Sequence, residues 1–175
     1  RAYGVLNPDF TASYNGFVNG ETLATSGVTG QPSLTSDATL SSPSGNYVIS
    51  TASGTLAATN YDFTLVNGKL AVGKSLITVR ADDKTRIYGD ADPTLTYTFN
   101  GFLNGETLAS SGITGAPVFT TTANAVSPVG DYSIIPQVGT LASANYEFSF
   151  VNGKLKVDKA VLTVTADSAS RLYGQ

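Results

Sequence analysis

Residues 61–72 read YDFTLVNGKLAV, and residues 146–157 read YEFSFVNGKLKV. Each stretch sets an Asn-Gly pair between two runs of alternating apolar residues, Asn67-Gly68 in one and Asn152-Gly153 in the other. Both central residues of a type I′ turn need positive φ, which makes Asn-Gly the strongest short hairpin signal. The expected register sets Val66 against Lys69, Leu65 against Leu70 and Phe63 against Val72. Phe63, Leu65, Leu70 and Val72 then share one face, as do Phe148, Phe150, Leu155 and Val157. Antiparallel β structure, written twice, is the first expectation.

The duplication extends over the whole chain. RAYG starts at Arg1, RIYG at Arg86 and RLYG at Arg171, so each start is separated from the next by 85 residues. FVNGETLATSGVTG at 17–30 answers to FLNGETLASSGITG at 102–115, and SPSGNY at 42–47 to SPVGDY at 127–132. About half of the aligned positions are identical. A unit of this length can own a core, unlike the units of roughly 20–50 residues that build solenoids. The third RLYG and the absence of an initial Met read as a piece of a longer array.

Alternation continues in LTYTF (95–99), LITVRA (76–81), VLTVTA (161–166), YVIS (47–50), YSII (132–135) and VFTTTA (118–123). Pro and Gly in each Ser-Pro-x-Gly mark a β-turn ahead of the Tyr strand. One helical turn is expected in NGETLASS, where Glu106 precedes Leu108 and Ala109 before Gly112 and Gly115. The fold class is therefore mostly β, as tandem small β-sandwich (Ig-like) or β-grasp-like domains of roughly six strands, each with at most one short helix near FxNGETLA.

Composition narrows the function. Charged residues are 13%, against about a quarter in ordinary soluble domains. The net charge of −3 comes with no Lys/Arg cluster, so nucleic acid is not an expected partner. His and Cys are both zero, which removes the commonest general base, thiolate chemistry and the usual soft metal ligands. No apolar run approaches the roughly 20 residues of a membrane span, so no membrane insertion is expected. An enzyme and a cofactor are likewise not expected.

The repeated motifs supply the candidate sites. FxNGETLA could be a ligand loop with Glu21 and Glu106 as polar anchors, but two copies favour a structural connection with Phe17 and Phe102 buried. Tyr3-Gly4 and Tyr88-Gly89 could stack on a sugar; an anchored corner with glycine at an unusual backbone angle is the expected role. Asp90 and Asp92, with Asp82 and Asp83 upstream, are the metal candidates, because calcium takes clustered carboxylates. The first copy reads YGVLNP where the second reads YGDADP, so that reading applies to the second copy alone. Asn67, Gly68, Asn152 and Gly153 are taken as structural turn residues.

LITVRADDKTRIYGDADPTLTYTFNGFLNGETL, SPVGDYSI and GTLASANYEFSFVNGKLKV together resemble the MBG repeat of YGX type. The variable third residue is Val5, Asp90 or Gln175. The resemblance implies a tandem module of large bacterial surface or secreted proteins, often haemagglutinin-like adhesins, and brings no catalytic residues. Its phase sets residues 1–75 as a first repeat without its first strand, 76–158 as a complete one and 159–175 as the start of a third; the alternative phase is 1–85 and 86–170. The expected function is a non-catalytic stalk or spacer at the bacterial surface or outside the cell, with a weak multivalent glycan or host-protein binder as the alternative. Expected partners are neighbouring repeats, then a host glycan or matrix protein. Strand exchange between molecules, with residues 161–166 entering an exposed edge of the first repeat, is a further expectation.

Overall fold

The computed structural model describes residues 1–174; Gln175, the last residue of the third YGX triplet, lies outside them. Ten strands and no helix make up the described chain: β1 (Ser33–Thr35), β2 (Gly45–Ala52), β3 (Gly68–Val72), β4 (Ser75–Ala81), β5 (Lys84–Ile87), β6 (Tyr97–Asn100), β7 (Val118–Thr120), β8 (Gly130–Gln137), β9 (Tyr146–Val151) and β10 (Gly153–Asp158). They form three sheets, ordered β1-β2-β3, β5-β10-β8-β7 and β6-β4-β9. The mostly-β fold class expected from alternation is the one observed. Where a short helix was expected, Ser110 and Ser111 N–H both bond to Thr107 O, at 3.1 and 2.9 Å, and the turn goes no further. No helix of the described residues is long and apolar enough to cross a membrane.

The predicted hairpin is absent. β9 and β10 flank Asn152-Gly153 but never pair: β10 runs antiparallel to β8, with Leu155 opposite Tyr132, and parallel to β5. β3 likewise pairs with β2, Leu70 opposite Tyr47. Neither Asn67 nor Asn152 has positive φ. Asn67 instead accepts a 2.9 Å bond from Thr51 N–H. Gly153 is required by a close approach, because a Cβ there would lie 2.5 Å from Ala81 O of β4. The left-handed Asn-Gly turns are those at 19–20 and 104–105, with φ of 54° and 73°, and 53° and 74°.

The chain packs as two compact units that cut across the repeats. One comprises residues 1–78, 99–117 and 138–149; the other comprises 79–98, 118–137 and the chain from 150 onward. One buried cluster of the first unit is Ala38, Leu70 and Val72, with Phe10, Tyr47 and Ile49 half-buried against it. A buried cluster of the second is Ala81, Ala123, Ile134 and Leu155, with Leu95, Phe119 and Tyr132 against it. The two lists correspond at an offset of 85, except for Val72 in the first and Phe119 and Ala81 in the second. Ala81 belongs to β4, whose counterpart for the first repeat would precede residue 1. Its effect is visible at the matched isoleucines: Ile134 is fully buried, whereas Ile49 is only half-buried.

The same difference decides where strands form. β4 lies between β6 and β9. The counterparts of β6 and β9 in the first repeat, residues 12–15 and 61–66, are not strands, although their sequences alternate equally well. The expected strand at 161–166 is also absent. Gly153→Ala is expected to destabilise the protein by about 1–3 kcal/mol through overlap with Ala81 O. Gly68→Ala, whose Cβ would meet Ile49 at an ordinary 3.5 Å, should cost far less. Denaturant melts of the two variants check the contrast.

Candidate functional site

The repeated FxNGET motif builds the same socket in both copies. Glu106 N–H closes the type I′ turn on Leu103 O at 2.9 Å, and Glu21 N–H closes its counterpart on Val18 O at 3.0 Å. Only Asn and Gly hold such φ values at modest cost, so the motif uses both. The turn aims the Glu carboxylate at a tyrosine 40 residues further along the chain. Tyr146 Oη donates to Glu106 Oε2 at 2.6 Å and accepts from Leu103 N–H at 3.0 Å. Tyr61 Oη donates to Glu21 Oε2 and accepts from Val18 N–H at 3.3 Å. Phe102 meets Tyr146 edge-on with centroids 6.3 Å apart, and Phe17 meets Tyr61 in the same way at 5.7 Å.

One socket is filled. Tyr3 is 2% exposed, and its hydroxyl donates to Glu106 Oε1, so a single carboxylate binds two phenols. The Tyr3 ring stands edge-on to Tyr146 at 5.6 Å. Gly4, at φ 73°, lets the corner close on Leu103; a Cβ there would lie 2.7 Å from Leu103 Cδ1. Neighbouring bonds hold this corner: Ser75 N–H to Asn145 O at 2.9 Å, Ser44 N–H to Asn145 Oδ1 at 3.1 Å and Lys74 Nζ to Ser143 O at 2.8 Å. Tyr88, the counterpart of Tyr3, is 48% exposed, and a Cβ on Gly89 would meet nothing within 4 Å. Tyr61 is half-exposed, and the only donor recorded to Glu21 among the described residues is Tyr61.

Neutral phenols are what this arrangement holds. Tyr146 is pushed up to about 12, first by burial and then by its bond to Glu106, with the Leu103 N–H opposing. Tyr3 is raised by burial and then by Glu106. Tyr61 is raised chiefly by its bond to Glu21.

The RxYG arginine ties the second corner together. Arg86 is buried, pairs through Nε with Asp92 Oδ1 at 2.7 Å and donates to the Asn124 and Ile87 carbonyls. Arg1 repeats the pattern with Asn7 and Thr39 O. Asp92 is therefore engaged by a guanidinium. Asp82 accepts from Thr96 at 2.6 Å and Asp83 from Lys154 N–H at 2.8 Å, while Asp90 is exposed. Among the described residues no group of three or more acidic side chains is placed to hold a metal ion. The shared spacing of Glu and Tyr in both copies was the one signal from which the socket could have been read.

The first repeat also has a cleft of about 460 Å³ lined by Phe10, Thr11, Ala12, Tyr14, Gln31, Pro32 and Leu34. In the second repeat the counterparts of Ala12 and Leu34 are Tyr97 and Phe119, whose rings lie 5.9 Å apart. Smaller side chains leave the gap.

A family model described as MBG domain (YGX type) matches residues 1–71 and again residues 77–156. No curated protein and no solved structure matched.

Two outcomes are expected. Tyr146→Phe should cost about 1–3 kcal/mol by stranding Leu103 N–H and Glu106, and Tyr61→Phe less, because water reaches that site. The raised phenol pKa values work against the alkaline form. Their stabilisation is complete below the unfolded tyrosine value of about 10 and is lost as pH rises through about 12. Thermal melts between those pH values should show a steep fall that Tyr146→Phe flattens.

Proposed function

Because the chain belongs to the MBG domain (YGX type) family and carries two tandem copies, we propose that it is a non-catalytic spacer in the stalk of a large bacterial surface or secreted adhesin. The observation that carries this reading is how the repeated motifs are used. FxNGET, RxYG and the ANY tyrosine are engaged with one another, Tyr3 to Glu106 and Tyr146, rather than presented to a ligand. A spacer needs consecutive repeats held without slack, and Tyr3, Ser44, Lys74 and Ser75 of one repeat all bond to the next. The absence of His and Cys from the sequence fits a role without acid–base or thiol chemistry.

One observation favours a second reading, a weak glycan-binding module that gains avidity from repetition. The cleft of the first repeat brings Phe10 and Tyr14 beside Thr11 and Gln31, an aromatic wall with polar groups suited to a sugar ring. The test is binding of the folded chain, tethered at high density, to a broad panel of glycans and matrix proteins. The spacer reading expects no saturable binding. A saturable glycan signal lost on Tyr14→Ala would replace it with the second.

A further inference from the structure

The residues around the cleft of the first repeat differ between the repeats more than the chain as a whole. Phe10, Ala12, Tyr14, Gln31 and Leu34 stand where the second repeat has Leu95, Tyr97, Phe99, Ala116 and Phe119; of the lining only Thr11 and Pro32 recur. In the second repeat the Tyr97 and Phe119 rings meet at 5.9 Å. In the first, Ala12 and Leu34 leave that space open, at about 460 Å³. The exchange also adds polar groups, a hydroxyl on Tyr14 and an amide on Gln31. Gln31 bonds to Thr55 through its backbone alone. Neither its side-chain amide nor Tyr14 Oη has a partner among the described residues.

The cleft adjoins an open sheet edge. β1 is the outer strand of the order β1-β2-β3, and Leu34 at its centre lines the cleft. Thr51, opposite Leu34 in the ladder, sends its N–H the other way, to Asn67 Oδ1 at 2.9 Å. Leu34 therefore sits at a non-hydrogen-bonded pair, and its own N–H and C=O point out of the edge. An outward N–H and C=O on one residue is the pair that an added strand uses. Two acids flank the place in sequence, Asp9 before Phe10 and Asp37 just beyond β1, where the second repeat has Thr94 and Thr122. Both acids are exposed, and among the described residues neither has an ion-pair partner.

We propose that this cleft and edge together dock an extended peptide segment of a partner protein, one that carries a tyrosine between basic residues. Its backbone pairs with Leu34 along β1, and its ring enters the space that aromatic side chains fill in the second repeat. An aromatic occupant is indicated because the chain itself shows the filled form, Tyr97 against Phe119. Tyrosine suits the place better than phenylalanine, since its hydroxyl gives Gln31 and Tyr14 a polar partner. A peptide suits it better than a sugar, since only a peptide answers the outward main-chain pair of Leu34. Added strands draw affinity from those main-chain bonds and specificity from side chains in pockets. Lysine or arginine beside the tyrosine would meet Asp9 and Asp37. The proposal goes beyond the spacer reading: FxNGET and RxYG, alike in both repeats, keep their scaffold task, and one repeat gains a recognition point that the other has filled.

Titration of the isotope-labelled 175-residue chain with the end-blocked peptide KTYTK, followed by NMR and calorimetry, tests this. The expected dissociation constant is about 0.1–1 mM, with shifts confined to residues 9–14 and 31–37. KTATK lacks the ring and p-cresol lacks the backbone; each should bind about tenfold more weakly or worse, because each keeps half of the contact. Ala12→Tyr combined with Leu34→Phe gives the first repeat the side chains of the second. That variant should weaken KTYTK by about tenfold or more, with circular dichroism checking its fold. The three-ligand comparison on the unmodified chain decides the matter without it. No binding of KTYTK at about ten times the expected constant overturns the proposal. So does p-cresol or KTATK binding as tightly as KTYTK, a methyl glycoside that displaces the peptide, or peptide binding that survives the refilled cleft.

Discussion

A strand needs a neighbour to pair its backbone on at least one side, and in this chain β4 is that neighbour for two strands at once. Between β6 and β9 it accepts and donates along both edges, and its Ile77, Val79 and Ala81 are completely buried. Where its counterpart is absent from residues 1–71, two segments of nearly the same sequence are not strands. Propensity is thus secondary: YDFTLV and YEFSFV differ little, and the neighbour decides.

The second organising contact is the Glu106 carboxylate shared by Tyr3 and Tyr146. It joins three parts of the sequence 40 or more residues apart inside one compact unit. Charge-assisted bonds of this kind are stronger than neutral ones, and the rings of Phe102 and Tyr3 pack edge-on against Tyr146 beside it. The left-handed Asn104-Gly105 turn aims the carboxylate, and Gly4 lets the corner approach. Each residue of the motif therefore has a mechanical task. In the Tyr3 corner the polar atoms of the motif are engaged internally, whereas Tyr88 of the second copy is exposed.

Repeats and compact units need not coincide. The division seen here places residues 99–117 and 138–149 with the first repeat rather than with the rest of the second. Contacts such as Lys74 to Ser143 and Ser75 to Asn145 explain it, since they tie the end of one repeat to loops of the next.

The sequence by itself determined the duplication, the all-β class and most strand positions, because a period of two and an offset of 85 residues are properties of the residue string. It also expected Phe17 and Phe102 to be buried, whereas both are only half-buried. Pairing was another matter. Asn67-Gly68 and Asn152-Gly153 carry a hairpin signal, yet they sit where the chain leaves one sheet for another. Ala81 O approaching Gly153 and Asn67 accepting from Thr51 are long-range contacts that no local pattern encodes. Likewise, Asp92 reads as a metal ligand until Arg86 is found beside it, and the Glu–Tyr pairs stay hidden because 40 residues separate them. Only the tertiary structure decided which edges pair, because backbone hydrogen bonds are chemically identical everywhere and select partners by proximity, not by side chain.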